Sequence, residues 1–308
     1  YLSTLFLNDI SDFLSEAIGE DFGFSRYAER IALSATQFKV IEKKLQEEEN
    51  ILDSILGEEI FQAVKTFSPD IVAITVPFPG CLLGALKIAK WLRSNQPDIK
   101  IVLGGGYIST ELRELKDTKI FYYVDYICLD QGEVSLQQII EYLIGNISES
   151  QLKKTYYLKN GSLRFNEGAE VQDITFSEAG FPDYSDLQLE KYLSVIELPN
   201  AMHRLWNDGR WNKMLVATGC YWNKCTFCDT NLDYIKNNST VDAELLVDRI
   251  ESIVSQTGQT SFHFVDEAAP PSTLKALALS ILQRGVKITW WTNIRFERAF
   301  NADLCRLL

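Results

Sequence analysis

Between residues 67 and 145, short apolar runs alternate with longer amphipathic ones. "SPDIVAITVPFPG", "IKIVLGGGYIS" and "VDYICLDQGE" are β-branched runs closed by turn residues, while "CLLGALKIAKWLRSNQ" and "VSLQQIIEYLIG" place apolar positions at helical spacing. This alternation predicts parallel strands joined by helices, an open α/β sheet of Rossmann-like type. Ahead of it, "ISDFLSEAIGEDFG" and "KVIEKKLQEEENILDSILGEEIFQAVKTF" read as helical, with the acidic run Glu47–Glu49 facing water. No strand is evident before residue 67. A complete five-stranded unit has an opening strand, so it is expected upstream of Tyr1 or hidden in this region.

After residue 145 the periodicity weakens. "YYLKNGSLRFNEG" predicts a hairpin with an Asn-Gly turn, and "SEAGFPDYSDLQLEKYLS" reads as loop with aromatic anchors. "MHRLWNDGRWNK", with His203, Arg204, Asp208 and Arg210 among tryptophans, is expected to anchor this connector by aromatic packing, with arginine stacked on tryptophan. The pattern then resumes. "KMLVATG" predicts a strand delivering Cys220 at its end, a helix follows from about Asp242 to Ser255, and "SFHFVDE", "PSTLKALALSILQRG" and "KITWWTNIRFE" give strand, helix and strand. That order opens a β/α barrel or a second open sheet. The expected organisation is an α/β domain over 1–145, a connector over 146–210 and the N-terminal part of a barrel over 211–308, with further strands beyond Leu308.

In open sheets ligands bind beyond the carboxyl ends of the strands. Those ends carry Thr75, Val76, Pro77, Phe78 and Gly80, then Gly104, Gly105 and Gly106, then Gly132 and Glu133. Three consecutive glycines admit a ligand close to the backbone, or simply end a strand. Ser109 or Thr110 is the expected cap of a helix over "TELRELK". Neither GxGxxG after an early strand nor GxxxxGK[ST] occurs, which removes support for nicotinamide and nucleoside triphosphate binding.

Composition changes this picture little. Hydrophobic residues make up 46% and charged residues 23%, and no apolar run reaches the roughly 18 residues that cross a membrane. The net charge of −12 opposes bulk attraction to nucleic acid. Six cysteines, three of them clustered and no regular framework, point to reduced metal-binding use and a cytoplasmic setting.

The cluster is "CYWNKCTFC", a C-x4-C-x2-C spacing formed by Cys220, Cys225 and Cys228. Three thiolates on one loop suit three irons of a four-iron cube whose fourth iron takes an outside ligand. A structural zinc wants four ligands, often as two paired knuckles. Only one C-x2-C pair is present, so a zinc site would recruit His263, Cys305, Cys128 or Cys81. His263 lies within a strand pattern and reads more simply as a packed histidine. Trp290 and Trp291 read as core or rim.

At these residues the sequence resembles the radical S-adenosylmethionine (SAM) enzymes, whose loop usually reads C-x3-C-x2-C with an aromatic residue before the last cysteine. Phe227 stands there, and the first gap is one residue longer than usual. The resemblance implies that Cys220, Cys225 and Cys228 hold a [4Fe-4S] cluster. Its unique iron would chelate SAM, which the cluster cleaves reductively to a 5′-deoxyadenosyl radical, with electrons from a donor such as flavodoxin or ferredoxin. It further implies cosubstrate contacts from Phe227, from Asp266 and Glu267 in "HFVDEAAPP", and from Asn293 and Arg295 in "WWTNIRFE". Helix capping is the other reading of Asp266 and Glu267, and a structural ion pair that of Arg295.

The first half, with "PDIVAITVPFPG", "IVLGGGYISTELR" and "YVDYICLDQGE", resembles the cobalamin-binding domain that precedes the barrel in B12-binding-domain radical SAM proteins. By that resemblance Thr75 to Gly80 would face the lower side of the corrin, Gly104 to Gly106 would make room for its nucleotide tail, and Gly132 and Glu133 would complete the site. The Asp-x-His-x-x-Gly motif of mutase-type domains is missing, since the two histidines are His203 and His263. The reading is therefore a radical SAM enzyme performing methyl transfer or rearrangement on a small-molecule or peptide substrate. Its rivals are a radical enzyme whose first domain is empty of cobalamin and recognises substrate, and a non-enzymatic zinc-binding interaction protein.

Overall fold

The structure, a computed structural model, describes residues 2–18, 38–191 and 211–308. The chain divides into two compact units, Leu5–Asp173 and a second carrying Ile174–Leu308.

In the first unit, helix α1 (Leu2–Ile18) comes first and α2 (Phe38–Leu45) and α3 (Ile51–Phe67) precede the sheet. The long helical pattern breaks at Glu47–Glu49, which are exposed as expected. The break has a cause: the Asn50 side chain accepts from Leu52 and Asp53 N–H while Asp53 accepts from Asn50 N–H, a capping box that starts α3 afresh.

The sheet runs β1 (Ile71–Thr75), β2 (Lys100–Gly104), β3 (Tyr126–Cys128), β4 (Thr155–Lys159), β5 (Ser162–Asn166), in that spatial order. The first three strands are parallel and the last two antiparallel. It is parallel-rich but mixed, since the hairpin expected in the connector adds to β3 through Tyr126↔Tyr157 and Cys128↔Thr155. Its turn is as the sequence predicts, with Asn160 and Gly161 both at positive φ. Among the described residues no strand precedes β1.

Alternation along the strands sorts the core. Ile101, Leu103, Ile127 and Leu129 pack with Leu82, Leu86, Ala89 and Leu92 of α4 (Leu82–Asn95). Val102, Tyr126 and Cys128 pack on the other side with Ile139 of α6 (Gly132–Leu143). Between β2 and β3 the short helix α5 covers Gly106–Glu111. The helix expected over "TELRELK" thus begins earlier, and Ser109 and Thr110 lie inside it rather than capping it.

In the second unit β6 (Asn212–Met214), β9 (Ser261–Phe264) and β10 (Thr289–Thr292) form a parallel sheet, with β9 central. The connecting helices α8 (Ala243–Thr257) and α9 (Pro271–Arg284) end in left-handed Gly258 and Gly285, and α9 opens on Pro271. One face packs Phe262 and Phe264 against Leu246, Ile250, Leu274 and Leu277. The other carries a row of Lys213, His263 and Trp291 in register, His263 stacked on Trp291 at 3.6 Å and Trp211 edge-on to both. Trp290 packs on the core side against Phe264. His203, Arg204, Asp208 and Arg210 lie outside the described residues. Among the described residues no helix is long and apolar enough to cross a membrane.

Candidate functional site

At the carboxyl end of the first sheet the loops are bonded to one another. Val76 N–H donates to Gly104 C=O at 2.7 Å, and Val76 C=O accepts from Tyr107 N–H at 3.1 Å. Gly105, at φ 105°, lies where a Cβ would stand 2.8 Å from Val76 O. The close approach this glycine permits is of backbone to backbone, the strand-ending use of the glycine run. At the end of β3, Asp130 also has positive φ, and its side chain is 2% exposed. Its carboxylate meets Arg113 and, at 2.9 Å, the buried Lys154, while its N–H donates to Ser109 Oγ at 2.8 Å. Ser109 therefore pins β3 to α5.

Around this tied centre Thr75, Pro77, Gly106, Gly132 and Glu133 are exposed, Phe78, Gly80, Gly104 and Gly105 half-buried, and Val76 buried. A Cβ at Gly132 would meet nothing within 4 Å. The edge is firm beneath and open above.

The cysteine loop of the second unit is built differently. The expected strand to Cys220 stops at Met214, because β9 turns away after Val265 N–H donates to Met214 C=O at 2.9 Å. Beyond Leu215, Val216 and Ala217 give their N–H groups to the two carboxylate oxygens of Asp266 at 3.0 and 2.8 Å. The chain then forms β7 (Ala217–Thr218), antiparallel to β8 (Ser239–Thr240), and this ribbon closes the loop between them. Gly219, at φ 64°, sits where a Cβ would come within 2.5 Å of Asn237 O, and Asn238 Nδ2 donates to Thr218 C=O. Within the loop Cys220 N–H donates to Ile235 C=O at 2.8 Å, from helix α7 (Asp233–Lys236), whose Ile235 is buried beside Leu232.

All three loop thiols are half-buried. Burial raises the Cys228 thiol, and neighbouring Cys225, Cys220 and Glu267 push it the same way, so it gives up its proton less readily than a free thiol. Phe227 is 91% exposed and Glu267 is exposed. Asp266 is 2% exposed and caps no helix, for α9 starts from Pro270 without a side-chain bond. Burial pushes its carboxyl up to about 6 against the two backbone donors. Asn293 ties the strand ends, its Nδ2 donating to Asp266 C=O at 3.3 Å and its own C=O accepting from Ala269 N–H at 2.9 Å. Arg295 stacks on Trp222 at 3.6 Å and pairs with Glu297 at 2.8 Å, and Glu297 also accepts from Tyr221 OH. The sequence did not single out Glu297, Trp222 or Tyr221. Their signal was weak, a carboxylate two residues after an arginine and aromatics inside the cysteine run.

Among the described residues no three His, Cys, Asp or Glu side chains are grouped to enclose a single metal ion. Of the candidate fourth zinc ligands, Cys128 and Cys81 belong to the other unit. The Cys128 thiol is pushed up to about 12 by burial, and Cys305 Sγ donates to Phe300 C=O.

Residues 30–140 match the B12 binding domain. The matched segment is a B12-binding domain and holds the three parallel strands β1 to β3 of the first unit. No curated protein matches the sequence. Among solved structures, the cobalamin-dependent S-adenosylmethionine radical enzyme OxsB with aqua-cobalamin and SAM bound is similar, with 17% identity over 76% of this chain and a TM-score of 0.57. The radical SAM methyltransferase TsrM from Kitasatospora setae, with cobalamin and a [4Fe-4S] cluster bound, is similar over 83% of this chain with 17% identity and a TM-score of 0.55. This chain spans 31% of the first and 49% of the second. At such identity the likeness is one of fold.

Proposed function

We propose that this chain carries the cobalamin-binding and cluster-binding parts of a radical SAM enzyme whose reaction class is methyl transfer or radical rearrangement. The observation that supports it best is a conjunction: a B12-binding domain and a loop with three closely spaced cysteines in one chain. On this reading the parallel sheet β6, β9, β10 is the opening of a β/α barrel, whose functional groups gather at the carboxyl ends of its strands.

The donor set fits a [4Fe-4S] cluster, since each thiolate takes its own iron and the three need not converge on one ion. When bound, the cluster would supply the electron that cleaves SAM, and cobalamin would carry a methyl group. The chain's own residues bind and orient. Cys220, Cys225 and Cys228 hold three irons. Exposed Phe227 offers an apolar surface beside them, and exposed Glu267 an acceptor for the cosubstrate's ammonium. Arg295, held on Trp222, offers guanidinium N–H groups to a carboxylate or ribose, and Asn293 holds the floor between strands. In the first unit the open rim of Thr75, Gly106, Gly132 and Glu133 leaves room for a flat macrocycle. No histidine lies within residues 30–140, so this segment would offer no imidazole to a bound cobalamin. An electron donor of flavodoxin or ferredoxin type and a small-molecule or peptide substrate complete the reading.

A second reading keeps the cluster and leaves the first domain without cobalamin; the use of Gly105 in backbone packing favours it. Iron, sulfide, cobalt and zinc content of anaerobically purified, cobalamin-supplied protein tests all of this. About four irons and four sulfides per chain together with cobalt are expected. Iron without cobalt moves the result to the second reading, and stoichiometric zinc without iron overturns both.

A further inference from the structure

We infer that Asp266 is the positioning residue of the cysteine loop, its carboxylate fixing the backbone where the chain leaves the sheet and so setting where Cys220 stands. The inference rests on the cluster reading above. Up to Met214 the chain is held by β9, and from Ala217 onward by the ribbon with β8. Between those two supports Val216 and Ala217 are both buried, and their N–H groups point away from the ribbon partner. Unsatisfied, each would lose about 1–3 kcal/mol. Asp266 satisfies both at once, one oxygen to each.

The geometry needs a carboxylate. An asparagine has one acceptor oxygen, and its amide nitrogen would meet the second backbone N–H donor to donor. The register also leaves little slack below. Gly219 already packs against Asn237 at contact, and Cys220 N–H is fixed to Ile235 C=O. A displacement at residues 216–217 therefore passes along two tightly held residues to the first cysteine. Asn293, donating to Asp266 C=O, carries the same fixation to the third strand. Burying a carboxylate this deeply is a poor way to gain stability, since burial makes the group harder to ionise. Holding the loop is what the group does in return. Adjacent Glu267, exposed, is left to face ligand.

The test compares the parent chain with Asp266→Asn, reading secondary structure by circular dichroism, iron and sulfide after anaerobic reconstitution, the electron paramagnetic resonance of the reduced cluster, and hydrogen exchange of 215–220 against α8. The expected result is a folded variant with α8 protected as in the parent, at least tenfold faster exchange over 215–220, iron reduced at least twofold and a shifted resonance. A folded variant with full iron and an unshifted resonance overturns the inference, although a purely structural residue would still alter its melting temperature. If Asp266→Asn does not fold, exchange in the parent decides: slow exchange at Val216 and Ala217 supports the inference, and exchange as fast as that of exposed Thr226 and Phe227 overturns it. A parent chain that takes up no iron sinks the cluster reading, while the exchange comparison still judges the placement of the loop by Asp266.

Discussion

The two units hold their strand ends in opposite ways. In Leu5–Asp173 the ends of β1 and β2 are tied directly to each other, backbone to backbone over Gly105, and the end of β3 is locked by Arg113, Asp130 and Lys154. In Ile174–Leu308 the first strand end opens into a long loop, and one buried carboxylate and a short ribbon keep its base in place. The first edge is complete as it stands. The second carries three half-buried thiols on that loop. Preorganisation is thus distributed unevenly between the two units.

The contrast can be broken experimentally, and the largest effect belongs to the loop. Cys225→Ala is expected to remove the intact cluster and all 5′-deoxyadenosine formation while leaving the melting of the first unit unchanged; continued product formation would refute the assignment. On the tied edge, Gly105→Ala forces a Cβ against Val76 at an unfavourable φ and is expected to destabilise the first unit by about 3 kcal/mol, measured by denaturant unfolding. Lys154→Met leaves Asp130 buried with one cation fewer and is expected to lose about 2 kcal/mol in the same assay.

The smallest effect is a pH slope in the second unit. Asp266 is harder to ionise folded than unfolded, with its carboxyl raised from 3.8 to about 6. Within that window the folded state holds the extra proton, so this group withdraws stability as the pH rises through it. The withdrawal is complete above both values. Asparagine has no such slope. Melting of the second unit should therefore shift in favour of Asp266→Asn, relative to the parent, between pH 4 and pH 7; a difference that stays flat would contradict the shift.

Much of this was legible in the sequence because it is local. Apolar spacing located α4, α6, α8 and α9, Asn-Gly fixed the turn of the β4–β5 hairpin, and the cysteine spacing marked the loop. What was hidden depends on partners far away along the chain. "KMLVATG" has strand character throughout, yet only the departure of β9 decides that β6 stops at Met214. The hairpin's own sequence carries no trace of β3, so its membership of the first sheet was invisible. Asp266 and Glu267 are neighbours of like charge, and only the fold turns one inward to backbone N–H groups and leaves the other exposed. Likewise a run of three glycines announces close approach without saying what approaches.

The ribbon of β7 and β8 bears on how this loop tolerates change in length. Because its two ends are already brought together at Thr218 and Ser239, residues 219–238 form a closed excursion whose entropy depends only on the logarithm of its length. One residue more in roughly twenty changes that entropy by less than about 0.1 kcal/mol. A residue added or removed between Cys220 and Cys225 is thus expected to be absorbed within the excursion, with the strands beneath unaffected.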